Sequence, residues 1–105
     1  MGPELTIQTV HAGDATTLTP VGEIDLLTST QLNRELEIVL DRVPPPQRLH
    51  LELADVVFMD TTGVAVLLKG RRRALEVGCQ FVVTTTSPAI GRLFEITGLA
   101  GLLTE

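Results

Sequence analysis

Residues 56–68 read VVFMDTTGVAVLL, two apolar blocks on either side of a tetrad that contains one carboxylate, two hydroxyls and a glycine. The tetrad is Asp60-Thr61-Thr62-Gly63. Apolar and polar residues alternate over 49–53, which is typical of a strand, whereas the apolar residues at 64, 67, 68 and 75 have helical spacing. The sequence therefore predicts that the tetrad lies where a strand ends and a helix begins.

The tetrad has the chemistry of a helix start. Asp60 is a favourable N-cap, which places Thr61 and Thr62 in the first turn, where backbone N–H groups have no partner inside the helix. A phosphate attached there would meet these donors and the positive end of the helix dipole, an interaction of roughly 0.3 to 1 kcal/mol at an exposed site and up to about 2 kcal/mol when partly buried. Two interpretations remain open at this point: a plain cap with a tight entry, or a hydroxyl that serves as a phosphorylation switch.

Length and composition indicate one globular, soluble domain that spans residues 1–105. Hydrophobic residues make up 44% of the chain and charged residues 20%. The chain has three Phe and neither Tyr nor Trp, so its core must be built from Leu, Val and Ile. Aromatic platforms for single-stranded nucleic acid are therefore absent.

The formal net charge of −5 argues against binding to nucleic acid or to an anionic membrane. The apolar block 64–68 is too short to span a bilayer and the start of the chain has no signal-peptide pattern, so we expect a cytoplasmic protein that does not bind membranes. One basic cluster follows the tetrad, and it is either a solvated helix face or a docking patch for an acidic partner. It contains Lys69, Arg71, Arg72 and Arg73.

Metal and cofactor chemistry find little support in the sequence. Cys79 is the only cysteine, so an internal disulfide or a zinc site of the usual type cannot form, and we expect a buried, reduced side chain. His11 and His50 are far apart in the sequence and have no ligand-like neighbours. The sequence therefore predicts neither a metal ion nor a cofactor.

Periodicity predicts strands over 5–10, 16–21, 49–53 and 80–84, the first two forming a hairpin, and a short final strand over 99–103. Three helices are predicted between them. The first has Thr28 and Gln31 as a capping box and ends before three prolines. The second has Asp60 as N-cap and ends around Val77 with Gly78 as C-cap, and the third has Ser87 as cap and is closed by Gly98. Their inner faces are predicted at positions 32, 36, 39, 40 and 43, at 64, 67, 68 and 75, and at 90, 93, 94 and 97.

This order of elements predicts an α/β fold with a mostly parallel sheet of four to five strands, an N-terminal hairpin and right-handed crossovers. The alternation over 49–53 indicates one covered and one relatively open sheet face, with helices mainly on one face. Loops that leave the carboxyl ends of parallel strands gather at one edge. We therefore expect residues 22–25, 60–63 and 85–87 to lie close together.

Three motifs occur in order along residues 21–99. They are Gly22-Glu23-Ile24-Asp25, then Phe58-Met59-Asp60-Thr61-Thr62-Gly63-Val64, and finally Ser87-Pro88-Ala89 with Arg92-Leu93-Phe94 and Gly98-Leu99. With these motifs the chain resembles the bacterial anti-sigma factor antagonists of the STAS domain family. Members usually carry serine as the phosphoacceptor and commonly end with one more helix, whereas this chain has Thr61 and a predicted final strand.

The resemblance implies a regulatory protein without catalytic activity of its own. It implies a partner anti-sigma factor that is also a protein kinase, which uses ATP to phosphorylate the hydroxyl residue directly after the tetrad aspartate, here Thr61, and a phosphatase that reverses the reaction. Asp25 matches a position that lies near this site and helps partner recognition. The predicted surroundings of the phosphosite are Gly22, Glu23, Asp25, Asp60, Thr62 and Gly63.

Three hypotheses follow. The first is a phosphorylation-switched antagonist, a monomer or weak dimer, that regulates sigma-factor-dependent transcription. The second keeps the fold without the switch, as a STAS subunit of a larger complex such as a lipid-transport machine or a stress-signalling scaffold. The third, an enzyme with Asp60 and Thr61 as base and nucleophile, is the weakest because the sequence offers no proton-relaying histidine and no Gly-rich phosphate loop.

Overall fold

The computed structural model describes residues 5–103, which form five strands and four helices. The strands are β1 (Thr6–Ala12), β2 (Ala15–Ile24), β3 (Arg48–Leu53), β4 (Val56–Met59) and β5 (Gln80–Thr86). The helices are α1 (Ser29–Leu40), α2 (Thr61–Glu76), α3 (Pro88–Thr97) and α4 (Ala100–Leu103).

The sheet has the predicted mixed topology. Strand β1 is antiparallel to β2, while β3 pairs parallel with β2 and β5 pairs parallel with β3, giving the order β1-β2-β3-β5. Strand β4 pairs parallel with the last part of β2, from Gly22 to Ile24. The α/β class, the N-terminal hairpin and the mostly parallel sheet are therefore confirmed.

One face of the sheet is buried and the other is relatively open, as the alternation in 49–53 predicts. Leu49, Leu51 and Leu53 have no exposed surface, whereas His50 and Glu52 between them are half-buried. The covered face packs against the apolar stripes of the helices, and aliphatic side chains dominate this core. Cys79 is a free thiol in the same core, as expected.

Three helix predictions need correction. Helix α1 ends at Leu40, so Val43 lies beyond it and is 96% exposed. On α2, Leu75 is 64% exposed because Gly70 and Ala74 supply the close contact with the core. Thr97, at the end of α3, is exposed as well and donates its hydroxyl to the carbonyl of Leu93.

The predicted capping box is also wrong. Thr28 precedes α1, but its side chain does not cap the helix and instead donates to the carbonyl oxygen of Glu23 at 2.7 Å. The amide of Gln31 donates to the carbonyl oxygen of Leu5 at 2.8 Å. Both side chains therefore tie the first helix to neighbouring elements.

Two strand assignments also differ from the prediction. Residues 56–59 form a separate strand, β4, because the turn at 54–55 shifts the chain alongside the last part of β2. The predicted final strand over 99–103 is wrong, since Ala100–Leu103 is a single helical turn that follows the left-handed Gly98. A run of apolar residues as short as this fits either a strand or a helix turn.

Candidate functional site

The tetrad lies at the junction of β4 and α2, and Asp60 is the N-cap of the helix. Its backbone is extended, with φ −100° and ψ −171°. Its Oδ1 accepts hydrogen bonds from the N–H of Thr62 at 3.0 Å and of Gly63 at 3.2 Å. The Asp60 carbonyl accepts from the N–H of Val64 at 3.2 Å, which begins the helical ladder.

The two threonines of the tetrad have different environments. The Thr62 hydroxyl donates to Asp60 Oδ1 through a short hydrogen bond, and the residue is half-buried. Thr61 is exposed in the first position of the helix, and its hydroxyl has no hydrogen-bond partner within residues 5–103. The Thr61 hydroxyl is therefore the one that a reagent or an enzyme can reach.

The sequence predicts that the N–H groups in the first turn of α2 are free to bind a phosphate, and this is true only in part. Asp60 Oδ1 already accepts two of the first three N–H groups of α2, those of Thr62 and Gly63. The N–H of Thr61 is the one left over. A phosphate on the Thr61 hydroxyl would therefore gain little from the helix start and would add its charge beside the Asp60 carboxylate.

Residues 22–25 lie beside the tetrad because β2 and β4 are neighbours, but the predicted loop is wrong: β2 continues to Ile24, since residues 22–24 pair with β4, and only Asp25 follows the strand. Glu23 is opposite Phe58 and Ile24 is opposite Met59 in the parallel pairing. The N–H of Asp60 donates to the carbonyl oxygen of Ile24 at 3.2 Å. This pairing brings Asp25 and Asp60 to the same edge of the sheet.

Asp25 is held by the residues that follow it. Its Oδ1 accepts from the N–H groups of Leu27 and Thr28, both at 3.0 Å, and from the Thr28 hydroxyl at 3.1 Å. The backbone N–H of Thr28 and the other donors lower the pKa of Asp25. The carboxylate therefore keeps its charge at neutral pH.

The pKa of Asp60 is lowered too, chiefly by the hydrogen bond from the Thr62 hydroxyl and further by the N–H groups of Gly63 and Thr62. The negative charge of Asp25 acts in the opposite direction and raises the pKa of Asp60, although by less. The two carboxylates are thus close enough to repel each other, and both are ionised near neutral pH.

The glycines of the site act through the backbone and packing. Gly22 has a φ of 126°, which other residues rarely adopt, and the β2–β4 register shifts between it and Glu23. Gly63 is buried, and a Cβ added there would lie 2.6 Å from Met59 Cγ and 2.8 Å from Ile24 Cγ2. Gly63 therefore lets α2 approach β2 and β4 closely, and because it is buried it cannot itself contact a partner. Glu23, by contrast, is half-buried at the site.

The predicted third loop, 85–87, does not join this cluster. Ser87 donates its hydroxyl to the carbonyl oxygen of Val56 at 2.7 Å and its N–H to that of Leu53 at 3.2 Å. Val56 is the first residue of β4, whereas Asp60 follows the last. Because β4 extends beyond the end of β3, the carboxyl ends of the strands are staggered and this loop lies one strand length from the tetrad.

Sequence reasoning missed exposed apolar residues around the site. Leu26 and Leu27, directly after Asp25, are 68% and 82% exposed, and Phe58, two residues before Asp60, is 47% exposed. The exposure of the two leucines could have been predicted, because they lie between Asp25 and the start of a helix and belong to no periodic apolar pattern. The Phe58 side chain could not be distinguished from a buried strand residue.

The basic cluster is partly engaged within the protein. Arg73 forms ion pairs with Asp41 and with Glu76, both at 3.2 Å. The ion pair with Asp41 joins α2 to the end of α1. The hydrogen bonds of Arg73, chiefly that to Glu76, and the charges of both carboxylates raise the pKa of its guanidinium. For Arg73 the geometry favours the solvated helix face over a docking patch.

Within residues 5–103, no three or more His, Cys, Asp and Glu side chains are grouped as a metal ion would require. The helices of this same segment are all too short or too polar to cross a membrane.

Comparison with known proteins gives a consistent family. The family described as "Mlab, STAS domain" matches residues 7–104. The anti-sigma-B factor antagonist of Staphylococcus epidermidis is 31% identical over 99 residues, which cover 94% of this chain and 90% of that protein. The anti-sigma-B factor antagonist of Listeria monocytogenes is 32% identical over 82 residues, covering 78% of this chain and 70% of that protein.

Solved structures share the fold. An anti-sigma factor antagonist from Mycobacterium paratuberculosis superposes with a TM-score of 0.83 at 24% identity, covering 95% of this chain and 83% of that one. The anti-sigma factor antagonist SpoIIAA in its unphosphorylated form gives a TM-score of 0.78 at 18% identity, covering 94% of this chain and 86% of that one.

Proposed function

The chain belongs to the STAS domain family of anti-sigma factor antagonists, and on that premise we propose that it binds an anti-sigma factor kinase and is switched off by phosphorylation of Thr61. It acts in the cytoplasm by binding and not by catalysis. Release of the sigma factor follows from capture of its inhibitor. A phosphatase restores the binding form.

The observation that carries this proposal is the difference between the two threonines. The Thr62 hydroxyl donates a hydrogen bond to Asp60, the N-cap of α2, whereas the Thr61 hydroxyl is exposed at the start of the same helix. In the proposed reaction, the Thr61 oxygen forms a bond to the γ-phosphorus of ATP, ADP leaves, and the hydroxyl proton passes to a base on the kinase. Thr61 needs no rearrangement of the helix to present that oxygen.

The charges around Thr61 explain how a phosphate would prevent binding. Phosphorylation adds about −1.5 to −2 charges at neutral pH. These charges would lie beside the ionised Asp60 and near Asp25, whose own charge already affects Asp60. A surface that matched two carboxylates would then face a larger negative charge and added bulk. A change of about 1.4 kcal/mol alters affinity tenfold, so a local effect of this kind is sufficient.

The surroundings of Thr61 fit the role of a recognition surface. Gly22 and Glu23 lie at the end of β2 and Asp25 directly follows it, and the strand is joined to the tetrad by the Asp60 N–H, which donates to the Ile24 carbonyl. We propose that Asp25 and Asp60 pair with cationic side chains of the partner, since both stay ionised near neutral pH. Gly63 and Thr62 fix the position of the tetrad from inside.

The experiment is phosphorylation of three purified proteins by the cognate anti-sigma factor kinase with ATP. The unchanged chain and Thr62→Ala should each gain one phosphate, which peptide mass spectrometry places at residue 61, and Thr61→Ala should gain none. The Thr62 variant controls for damage to the helix start. Transfer to residue 62 would overturn the assignment to Thr61, and transfer to none of the three proteins would favour the alternative of a STAS subunit that works without a switch.

A further inference from the structure

Leu26 and Leu27 form the most exposed apolar surface near the tetrad, and we call them the leucine doublet. They are 68% and 82% exposed, although leucine is among the residues most often buried. They follow Asp25 directly and precede α1. Scattered exposed leucines need no explanation, but two adjacent ones beside a charged site form a patch.

The loop that carries the doublet is held in one conformation by its own polar groups. The N–H of Leu27 and the N–H and hydroxyl of Thr28 all donate to Asp25 Oδ1. The Thr28 hydroxyl also reaches the carbonyl oxygen of Glu23, and the N–H of Ser29 donates to the Asp25 carbonyl at 2.8 Å. A partner that buried these leucines would therefore have little loop entropy to overcome.

We infer that the leucine doublet is the apolar anchor for the anti-sigma factor, seated in an apolar pocket of the partner that is bordered by Lys or Arg side chains. This inference rests on the proposed function, and it names the residues that supply most of the affinity for the anti-sigma factor. The doublet adjoins Asp25, and the Asp60 N–H donates to the carbonyl oxygen of Ile24 just before it, so the doublet and Thr61 lie at the same edge of the sheet. Central apolar residues ringed by polar ones dominate binding energy in many interfaces.

Charge selects this occupant over the two other candidates. A second copy of the chain docking doublet to doublet would bring its Asp25 and Asp60 towards those of the first, and like charges would repel. An anionic membrane would meet the same carboxylates and a chain of net charge −5. A basic protein surface with an apolar pocket complements both the charge and the leucines.

The test compares four proteins in calorimetric titrations with the cognate anti-sigma factor: the unchanged chain, Leu26→Ser/Leu27→Ser, Leu75→Ser and Thr61→Glu. Leu75 is the matched control, because it is 64% exposed and lies in the last turns of α2, far from the tetrad. We expect the double variant to raise Kd at least tenfold, as buried anchor residues typically do, while Leu75→Ser leaves Kd unchanged. Thermal unfolding of the double variant should match that of the unchanged chain, since both leucines are exposed.

The outcomes separate this inference from the switch. An unchanged Kd for the double variant overturns the anchor, even where Thr61→Glu abolishes binding. Loss of binding by the double variant with full binding by Thr61→Glu supports the anchor and overturns the switch. The anchor is equally overturned when the doublet matters only for dimer formation in ultracentrifugation or for co-sedimentation with phosphatidylglycerol vesicles.

Discussion

Thr62 donates both its hydroxyl and its backbone N–H to one oxygen of Asp60, the N–H at 3.0 Å. This pair closes the first turn of α2 and leaves the preceding hydroxyl, that of Thr61, in solvent. Two chemically identical side chains are thereby given different roles, one in the stability of the helix start and one at the surface.

Removing the cap should destabilise the protein, and removing the exposed hydroxyl should not. Asp60→Ala leaves the N–H groups of Thr62 and Gly63 without their acceptor. For a domain of this size, loss of an N-cap lowers Tm by roughly 4 to 8 °C. Thr61→Ala, one position further on, should change Tm by no more than about 2 °C. Equal losses for the two variants in a thermal unfolding scan would contradict the assignment of roles.

Acid should weaken the fold through these carboxylates. The folded-state pKa values of Asp25 and Asp60 lie below the ordinary value of 3.8, because Thr28 donors bind Asp25 and the Thr62 hydroxyl binds Asp60. Their contribution to stability is therefore complete well above pH 3.8 and is lost as the pH falls through the folded-state pKa values.

We expect Tm of the unchanged protein to fall more steeply on acidification from about pH 6 to about pH 2.5 than that of Asp25→Asn/Asp60→Asn. The amides keep the acceptor oxygens but do not titrate. Parallel Tm curves for the two proteins across this range would show that neither carboxylate contributes.

Close packing at Gly63 should make that position intolerant of a methyl group. A Cβ there would meet Met59 Cγ and Ile24 Cγ2 at distances below 3.0 Å. Overpacking of this kind typically costs about 1 to 3 kcal/mol, so we expect Gly63→Ala to reduce the free energy of unfolding in urea by that amount. Gly101→Ala is the control, since nothing lies within 4 Å of a Cβ at Gly101. A Gly63→Ala protein as stable as this control would mean that α2 has room to shift.

Ser87 should matter for the attachment of α3 to β4. Its hydroxyl donates to the Val56 carbonyl at 2.7 Å and accepts from the N–H of Ile90 at 3.4 Å. Ser87→Ala removes both bonds, and we expect a loss of about 0.5 to 2 kcal/mol in urea unfolding. Thr97→Ala, which removes an exposed hydroxyl at the other end of the helix, should have a smaller effect.

Local chemistry in the sequence was enough to place the starts of α2 and α3 and the covered face of the sheet. Asp60 and Ser87 act as caps, Gly98 ends α3 with a φ of 74°, and the alternation over 49–53 identified the covered face. These features depend on neighbours within a few residues, so a single sequence contains the information. The adjacency of residues 22–25 to the tetrad followed from the rule for parallel strands.

Features that depend on tertiary contacts were harder to predict. The Gln31 amide donates to the carbonyl of Leu5, and the Thr28 hydroxyl donates to the carbonyl of Glu23. The two residues match the capping-box pattern in sequence, but their side chains form these bonds instead. The short strand β4 looked like the continuation of β3, and its offset moved residues 85–87 away from the tetrad. In the hydrogen bonds formed by Thr28, Gln31 and Ser87, the two partners lie 5 to 31 positions apart in the chain, so local sequence patterns do not reveal them.

The central claim, that a phosphate on Thr61 controls partner binding, is tested most directly by titrating the cognate anti-sigma factor with the unphosphorylated chain and with the Thr61-phosphorylated chain. Added charge beside Asp60 and near Asp25 should raise Kd at least about tenfold. Phosphatase treatment of the same sample should restore the original Kd. Values of Kd that agree within about twofold before and after phosphorylation would contradict the account.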